Sequence, residues 1–248
     1  MVDLASAKHL MKGHMEVDVT CAREKIHQAE AETGTSQSFT AWFIKCVAQA
    51  VSENKQIQAM RKGNRIVFFD DVDVFVLIET RINNDKYALP HIIRKADKKS
   101  CREIHKEIRA AQKQRIPPNS IIIGNESALF KTYPYLPKAL RMFICRRAAN
   151  NPSFVKKHTG TVSVSSVGMM GKMKGLIYPV SPLPLSFAVC GITEKAVVIN
   201  GKVEIREILN LAFTADHTLI DGAPLVRFLS RLTELMEKGF DLNPAERG

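Results

Sequence analysis

The residues best suited to chemistry lie in one short segment near the end of the chain, 216–222 (DHTLIDG). The segment separates a strand pattern from the last helical pattern, a junction where rigid elements often hold catalytic side chains on loops. An imidazole such as that of His217 titrates near neutral pH and can take a proton from a thiol or a hydroxyl. Asp221, just before Gly222, could cap the helix or pair with a cation. The segment therefore offers a general base, and a packed or solvated histidine is the alternative that it leaves open.

A second candidate is a serine at the end of a strand pattern. Val162 and Val164 alternate with polar residues up to Ser165, and Gly168 permits a sharp turn shortly afterwards. A hydroxyl at a strand end can donate a hydrogen bond to an oxyanion that develops on a reacting carbonyl. A serine selected for the turn that follows explains the same pattern. No metal site is predicted, because no histidine and cysteine have the close spacing of metal ligands.

The composition is that of a soluble globular protein: of 248 residues, 45% are hydrophobic and 25% are charged. The five cysteines are scattered, odd in number and never arranged as CxxC. This argues against a disulfide framework and predicts a reducing, cytoplasmic location. No segment is apolar and long enough for a signal peptide or a membrane span, so no membrane partner is expected.

The net charge of +11 is distributed unevenly along the chain. Residues 115–158 contain eight Lys or Arg residues and one acid, and so carry +7 of that charge. A basic patch can attract nucleic acid, a membrane surface or a phosphorylated ligand such as coenzyme A. A solvated face explains the charge equally well. A nucleic-acid partner is not expected, because the stretch has no known RNA- or DNA-binding signature.

The hydrophobic periodicity predicts a single α/β sandwich domain in which strands and helices are mixed. Helix boundaries are indicated by Thr20 and Gly34, by Ser38, and by Gly239 after the last helix. The Asn200-Gly201 pair predicts a two-residue hairpin and hence an antiparallel pair of strands. The remaining predicted elements are a strand over 14–19, a strand pair or one bent strand over 65–80, a polar helix over 97–114 with Ile104 and Ile108 as anchors, an amphipathic helix with Leu140, Phe143 and Ile144, and a strand over 206–216.

Four segments of the chain resemble one known family. TADHTLIDGAP (214–224) resembles the DHRxxDG signature of the catalytic domain in 2-oxoacid dehydrogenase dihydrolipoamide acyltransferases. That domain shares its fold with chloramphenicol acetyltransferase. VSVSSVGMMG (162–171) is similar to the family's serine-turn segment, YALPHIIRKADKKSCREI (87–104) to its loop, strand and following helix, and HMEVDVT (14–20) to its first strand. The matches occur in the family's order and touch most of the chain.

The resemblance implies a chloramphenicol acetyltransferase-like two-layer sandwich with a mixed, largely antiparallel sheet and helices packed on it. It implies that His217 removes the proton from an attacking thiol and that Ser165 donates to the oxyanion. It also implies that Asp221, with Gly222, holds the loop. The substrates would be coenzyme A or acyl-CoA and a dihydrolipoamide-like thiol or other small acceptor. The protein would be a homotrimer or a multiple of trimers, with His217 and Ser165 of one site on different chains.

Three features depart from the family's pattern. Thr218 stands where members of dehydrogenase complexes usually have arginine. Residues 1–248 contain a single catalytic domain without a lipoyl domain, a lipoyl attachment or a subunit-binding domain. The stretch 115–158 is a basic insertion relative to the family. Partners in a dehydrogenase complex therefore stay open, and a non-catalytic trimeric assembly or regulatory subunit is the alternative function.

Overall fold

The computed structural model describes residues 8–34, 37–82, 85–113, 137–166 and 175–242. Strands and helices are mixed along the chain, as the periodicity predicts. They are β1 (Leu10–Asp18), α1 (Thr20–Thr33), α2 (Phe39–Glu53), β2 (Met60–Lys62), β3 (Arg65–Val67), β4 (Val74–Ile82), β5 (Asp85–Ile93), α3 (Cys101–Lys113), α4 (Lys138–Ala149), α5 (Pro152–Thr159), β6 (Val162–Ser166), β7 (Leu185–Ile199), β8 (Lys202–Asp216) and α6 (Gly222–Glu237). Among these described elements, no helix is both long and apolar enough to cross a bilayer.

Six strands form one mixed sheet in the order β1-β8-β7-β6-β4-β5, and β2 and β3 form a separate hairpin. The pairs β1–β8, β7–β8 and β4–β5 are antiparallel, whereas β6 is parallel to both of its neighbours. The short strand β6, which carries Ser165, is thus an interior strand. The arrangement places β8, which leads into the histidine segment, between β1 and β7.

The hydrophobic core lies between the sheet and helices α2, α3 and α6. Helix α2 is its central element, because nearly every residue from Thr40 to Val51 is buried. Phe187 of β7 joins the two layers through edge contact with Phe43 of α2 and a tilted contact with Phe228 of α6. Burial of such rings dominates core energetics, so the sheet and these helices form one rigid support for the loops at the strand ends.

Local signals predicted several boundaries correctly. The Ser38 side chain accepts a hydrogen bond from the Ala41 N–H and caps α2. Gly34 and Gly239 adopt positive φ at the ends of α1 and α6, and Asn200-Gly201 forms the β7–β8 turn with φ of 50° and 78°. The predicted anchors of the polar helix, Ile104 and Ile108 in α3, are buried.

Other predictions were wrong in detail. The stretch 65–80 holds two strands that join different sheets, since β3 pairs with β2 and β4 pairs with β5 and β6. Thr20 does not cap α1; its hydroxyl donates to Asp18 and accepts from the Glu207 N–H, which fastens α1 to β8. Helix α4 contains the three predicted residues, but Leu140 and Phe143 lie exposed on its surface rather than in a core.

The β7–β8 ribbon extends well beyond the sheet. Strand β1 covers β8 only from Ile208 to Asp216, whereas β7 and β8 stay paired out to the Ile199–Lys202 turn. Val198, Val203 and Ile205 near the ribbon tip are large apolar residues that are mostly exposed. Val198 and Val203 are directly paired, so the overhang presents an apolar patch.

Gly160 fixes the junction between α5 and β6. Its φ of 72° and ψ of −162° lie in a region that is essentially reserved for glycine. A Cβ at this position would stand 2.5 Å from the main-chain oxygen of Asp73. That oxygen accepts the Thr161 N–H at 2.7 Å, and the Asp73 carboxylate pairs with Arg94. The junction therefore sets where β6, and with it Ser165, enters the sheet.

We expect Gly160→Ala to lower the free energy of unfolding by about 3 kcal/mol, because it combines a disfavoured φ with a backbone clash. Gly201→Ala is the matched control, since Gly201 also has positive φ but its Cβ would meet no atom within 4 Å. We expect the control to lose about 1 kcal/mol. Urea unfolding of both variants measures the difference, and equal losses would contradict the assigned role of the Asp73 contact.

Candidate active site

His217 occupies a tight turn immediately after β8. Its N–H donates to the main-chain oxygen of His9 at 2.8 Å, which ties the turn to the segment before β1. The main-chain oxygen of Asp216 accepts from the N–H groups of Leu219 and Ile220, both at 3.0 Å, and the Ile220 side chain is buried. The backbone of the loop is thus held on both sides. The His217 side chain is 53% exposed, so its ring is open to a reactant.

Asp216 is the carboxylate that fastens this loop. It is only 2% exposed. Its Oδ2 lies 2.8 Å from Lys8 Nζ, while its Oδ1 accepts from the Thr218 N–H at 3.1 Å and the Thr218 hydroxyl at 2.7 Å. A buried carboxylate is tolerated when it is paired and hydrogen-bonded in this way. The side chain of Thr218 is therefore engaged in holding the loop.

The same contacts set the ionisation of Asp216. Burial by itself raises the pKa of the carboxyl group, but the hydrogen bonds from Lys8 and Thr218, together with the charge of Lys8, outweigh it. The net pKa lies below the ordinary value of 3.8. Asp216 is consequently a carboxylate at neutral pH and contributes its ion pair throughout the physiological range.

Asp221 is the aspartate that the family resemblance predicts to hold the loop, and it lies at the start of α6. It is the N-cap residue of α6, with extended backbone and no side-chain hydrogen bond to the helix. Its side chain is 85% exposed, and its Oδ1 lies 3.9 Å from Nδ1 of His217. That separation is too long for a hydrogen bond. A role of Asp221 in holding the loop stays a prediction.

Ser165 is half-buried in β6. It pairs in register with Ala188 of β7, which pairs with Ala212 of β8, so the three residues form one row across the sheet. His217 follows Ala212 by five residues, about 16 Å at the rise of a strand, and two strand spacings of about 4.8 Å separate it sideways from β6. Ser165 and His217 of one chain therefore lie far apart. The turn predicted at Gly168 lies outside the described residues.

Reasoning from the sequence missed Asp216 and Lys8 as supports of the histidine loop. Asp216 directly precedes His217 at the end of the predicted strand over 206–216, and that position was a usable signal that it is held in the sheet. Lys8 carries no such signal, because its partner is 208 positions away in the sequence. Only the pairing of β1 with β8 brings the two residues together.

A model of the 2-oxoacid dehydrogenases acyltransferase catalytic domain matches residues 7–116 and 130–243. The chain is 26% identical over 228 residues to the lipoamide acyltransferase component of the branched-chain alpha-keto acid dehydrogenase complex of Bacillus subtilis. This match covers 90% of the chain and 45% of the relative. The chain thus spans less than half the length of that relative. The predicted resemblance to this family of acyltransferase domains is confirmed.

Solved structures agree with this match at the level of the fold. The cubic core of the pyruvate dehydrogenase multienzyme complex superimposes with a TM-score of 0.67 at 17% identity, covering 95% of this chain and 84% of that chain. Chloramphenicol acetyltransferase superimposes with a TM-score of 0.52 at 16% identity, covering 95% and 92%. The predicted chloramphenicol acetyltransferase-like α/β fold is therefore confirmed.

We expect Asp216→Asn to lower the free energy of unfolding by about 2–3 kcal/mol, because it leaves the Lys8 ammonium without its buried partner. Asp221→Asn is the matched control, and the exposure of its side chain predicts a change within about 0.5 kcal/mol. Urea unfolding at neutral pH measures both. A larger loss in the control would instead identify Asp221 as the residue that holds the loop.

The pH dependence of this difference follows from the lowered pKa. Unfolding raises the pKa of Asp216 back to its ordinary value of 3.8, so its contribution is present above that pH and is lost as the pH falls through the lower folded value. We therefore expect the wild-type protein and Asp216→Asn to converge in stability below about pH 4. A constant difference down to pH 2 would contradict the ion pair.

Proposed function

Because the chain belongs to the family of 2-oxoacid dehydrogenase acyltransferase catalytic domains, we propose that it transfers an acyl group between coenzyme A and a dihydrolipoamide-like thiol or other small acceptor. The observation that carries the proposal is the geometry of the His217 loop. The main chain and the Asp216 carboxylate hold this loop, while the imidazole stays open to solvent. A base that is held in place but accessible suits proton transfer to a substrate.

In the proposed reaction the His217 imidazole takes the proton from the acceptor thiol. The thiolate attacks the carbonyl carbon of the acyl-CoA thioester, and the tetrahedral oxyanion accepts a hydrogen bond from the Ser165 hydroxyl. Collapse of this intermediate breaks the bond to the sulfur of coenzyme A. The departing thiolate takes the proton back from the imidazolium, so the enzyme returns to its starting state.

The distance between Ser165 and His217 in one chain supports a site shared between two chains. We propose a homotrimer, or a multiple of trimers, in which His217 of one subunit faces Ser165 of a neighbour. The apolar overhang of the β7–β8 ribbon, with Val198, Val203 and Ile205 exposed, is a surface suited to burial in such an assembly. The pairing of His217 with Ser165 does not require the chain to be part of a larger dehydrogenase complex.

Coenzyme A is proposed as one of the two thiols because its phosphates suit the basic character of the chain. Residues 137–158 contain six Lys or Arg residues and no Asp or Glu. Cations on α4 and α5 can attract a phosphorylated ligand. A cytoplasmic location is also proposed, supported by five cysteines that are all thiols.

The second candidate is a non-catalytic assembly or regulatory subunit with the same fold. Thr218 favours it, because dehydrogenase-complex members usually have an arginine at this position of the signature. The presence of both His217 and Ser165 favours catalysis. Calorimetric titration with acyl-CoA thioesters of several chain lengths distinguishes the acyltransferase from the non-catalytic subunit. An acyltransferase must bind at least one of these thioesters, whereas a non-catalytic subunit need not bind any.

We expect His217→Ala to lower turnover about 10²–10⁴-fold, and Ser165→Ala about 10²–10³-fold, because one removes the base and the other an oxyanion donor. Release of free thiol from acyl-CoA in the presence of dihydrolipoamide measures turnover. The trimer should persist in both variants by light scattering. Full activity of His217→Ala would remove this residue from the mechanism.

Refolding the two variants together tests whether the site is shared. In a mixed trimer one subunit supplies an intact His217 and its neighbour an intact Ser165, so each mixed trimer contains one complete site of three. Random mixing of equal amounts makes about three-quarters of the trimers mixed, so we expect about a quarter of the wild-type turnover to return. No recovery in demonstrably mixed trimers would show that the two residues do not act across an interface.

A further inference from the structure

Helix α4 (Lys138–Ala149) has an exposed apolar face. None of the residues 139–149 is buried, so this helix adds nothing to the hydrophobic core. Its main packing partner is the short helix α5 rather than the sheet. Leu140 is 44% exposed and Phe143 is 65% exposed. The fold therefore holds α4 at its periphery, with two large apolar side chains in contact with solvent.

Two arginines share this face with the apolar pair. Phe143 lies three residues before Arg146 and four before Arg147, and side chains at these spacings are neighbours on a helix. Both arginines are exposed, and within the described ranges neither forms an ion pair with a carboxylate. Residues 137–158 contain no Asp or Glu. The exposed face of α4 is thus apolar in its first half and positively charged in its second half.

The charge and the size of this face restrict the partners that it could bind. The chain carries a net charge of +11, so two copies that met at their α4 faces would repel each other. A helix of 12 residues is about 18 Å long and 10 Å wide. A stable protein interface needs about 800 Å² from each partner, which is several times the area of such a face. An extended, negatively charged surface that also accepts apolar side chains fits both properties.

An anionic lipid bilayer is such a surface. Its phosphates attract Arg and Lys side chains, and the boundary between headgroups and acyl chains accepts the apolar side chains of a helix that lies flat on it. Nucleic acid offers similar phosphates but no hydrocarbon layer in which Leu140 and Phe143 could be buried. A helix on the membrane surface needs only a few apolar side chains, whereas a spanning helix needs about 20 apolar residues.

We propose that the exposed face of α4 binds an anionic membrane surface. Leu140 and Phe143 would reach the boundary between headgroups and acyl chains, and Arg146 and Arg147 would contact lipid phosphates. This interaction goes beyond the proposed acyl transfer and does not depend on it. Coenzyme A carries phosphates of the same chemistry, so the experiment must distinguish the lipid from this soluble ligand.

Flotation with lipid vesicles measures the interaction. The anionic vesicles contain phosphatidylcholine and phosphatidylglycerol at about 3:1, and pure phosphatidylcholine vesicles are the neutral reference. We expect the wild-type protein to partition about 25-fold more strongly into the anionic vesicles, because each of the two arginines contributes about fivefold. Phe143→Ala should lower this partition coefficient about tenfold, and Arg146→Gln and Arg147→Gln about fivefold each. Equal partitioning into both kinds of vesicle, or none, would overturn the proposal.

Val226→Ala and Arg227→Gln are the matched controls. They change an exposed apolar residue and an exposed cation on a different helix, α6. Both variants should keep the partition coefficient within about twofold, because the charge of a residue outside the contact is screened by salt. Losses as large as those of the α4 variants would reduce the effect to general charge and hydrophobicity, and would overturn the assignment to α4. Circular dichroism checks that every variant is folded.

Competition with coenzyme A distinguishes the lipid from the soluble ligand. If the cations of α4 served coenzyme A, an excess of it would release the protein from the vesicles at an ionic strength at which sulfate has no effect. Such a release would show that the lipid assignment is wrong. His217→Ala should bind the vesicles like the wild-type protein, so a loss of turnover leaves the membrane surface in place.

Two further measurements examine the other occupants of the face. Light scattering without vesicles compares the oligomeric state of Phe143→Ala with that of the wild-type protein. A smaller oligomer in the variant would identify the face as an interface between copies of the chain and would refute membrane binding by α4. Retention by single-stranded DNA that needs Phe143, in a protein that ignores both kinds of vesicle, would assign the face to nucleic acid instead.

Discussion

The arrangement of the candidate site depends on one buried ion pair, between Asp216 and Lys8. A carboxylate with 2% exposure is stable only if its oxygens are satisfied, and the three contacts to Lys8 and Thr218 meet that requirement. Together these contacts join three parts of the chain: the segment before β1 with Lys8, the end of β8 with Asp216, and the turn with Thr218. The hydrogen bonds of this one carboxylate thereby fix the path of the loop, and the backbone of His217 is held in addition by the main-chain oxygen of His9.

The sheet sets the second constraint. Strand β6 is parallel to β7 and antiparallel to β8, so the row that contains Ser165 crosses β8 at Ala212, well before the strand ends at the histidine loop. No side-chain rearrangement closes a gap of about 16 Å along the strands. A reaction that uses both residues must then be a property of an assembly, and the exposed apolar ribbon offers a surface for one. In this view the core stabilises the subunit, whereas the exposed β7–β8 ribbon serves to assemble the site.

The features predicted correctly from the sequence are those whose cause is local. Ser38 caps a helix through its own next turn, and Asn200-Gly201 forms a hairpin because both residues tolerate positive φ. The prediction failed where a contact between distant segments replaces a local one. Thr20 was predicted to cap α1, but its hydroxyl contacts Asp18 and Glu207 instead. The same limit applies to the site. His217 and Ser165 lie in recognisable sequence segments, whereas Lys8 reaches Asp216 only because β1 pairs with β8.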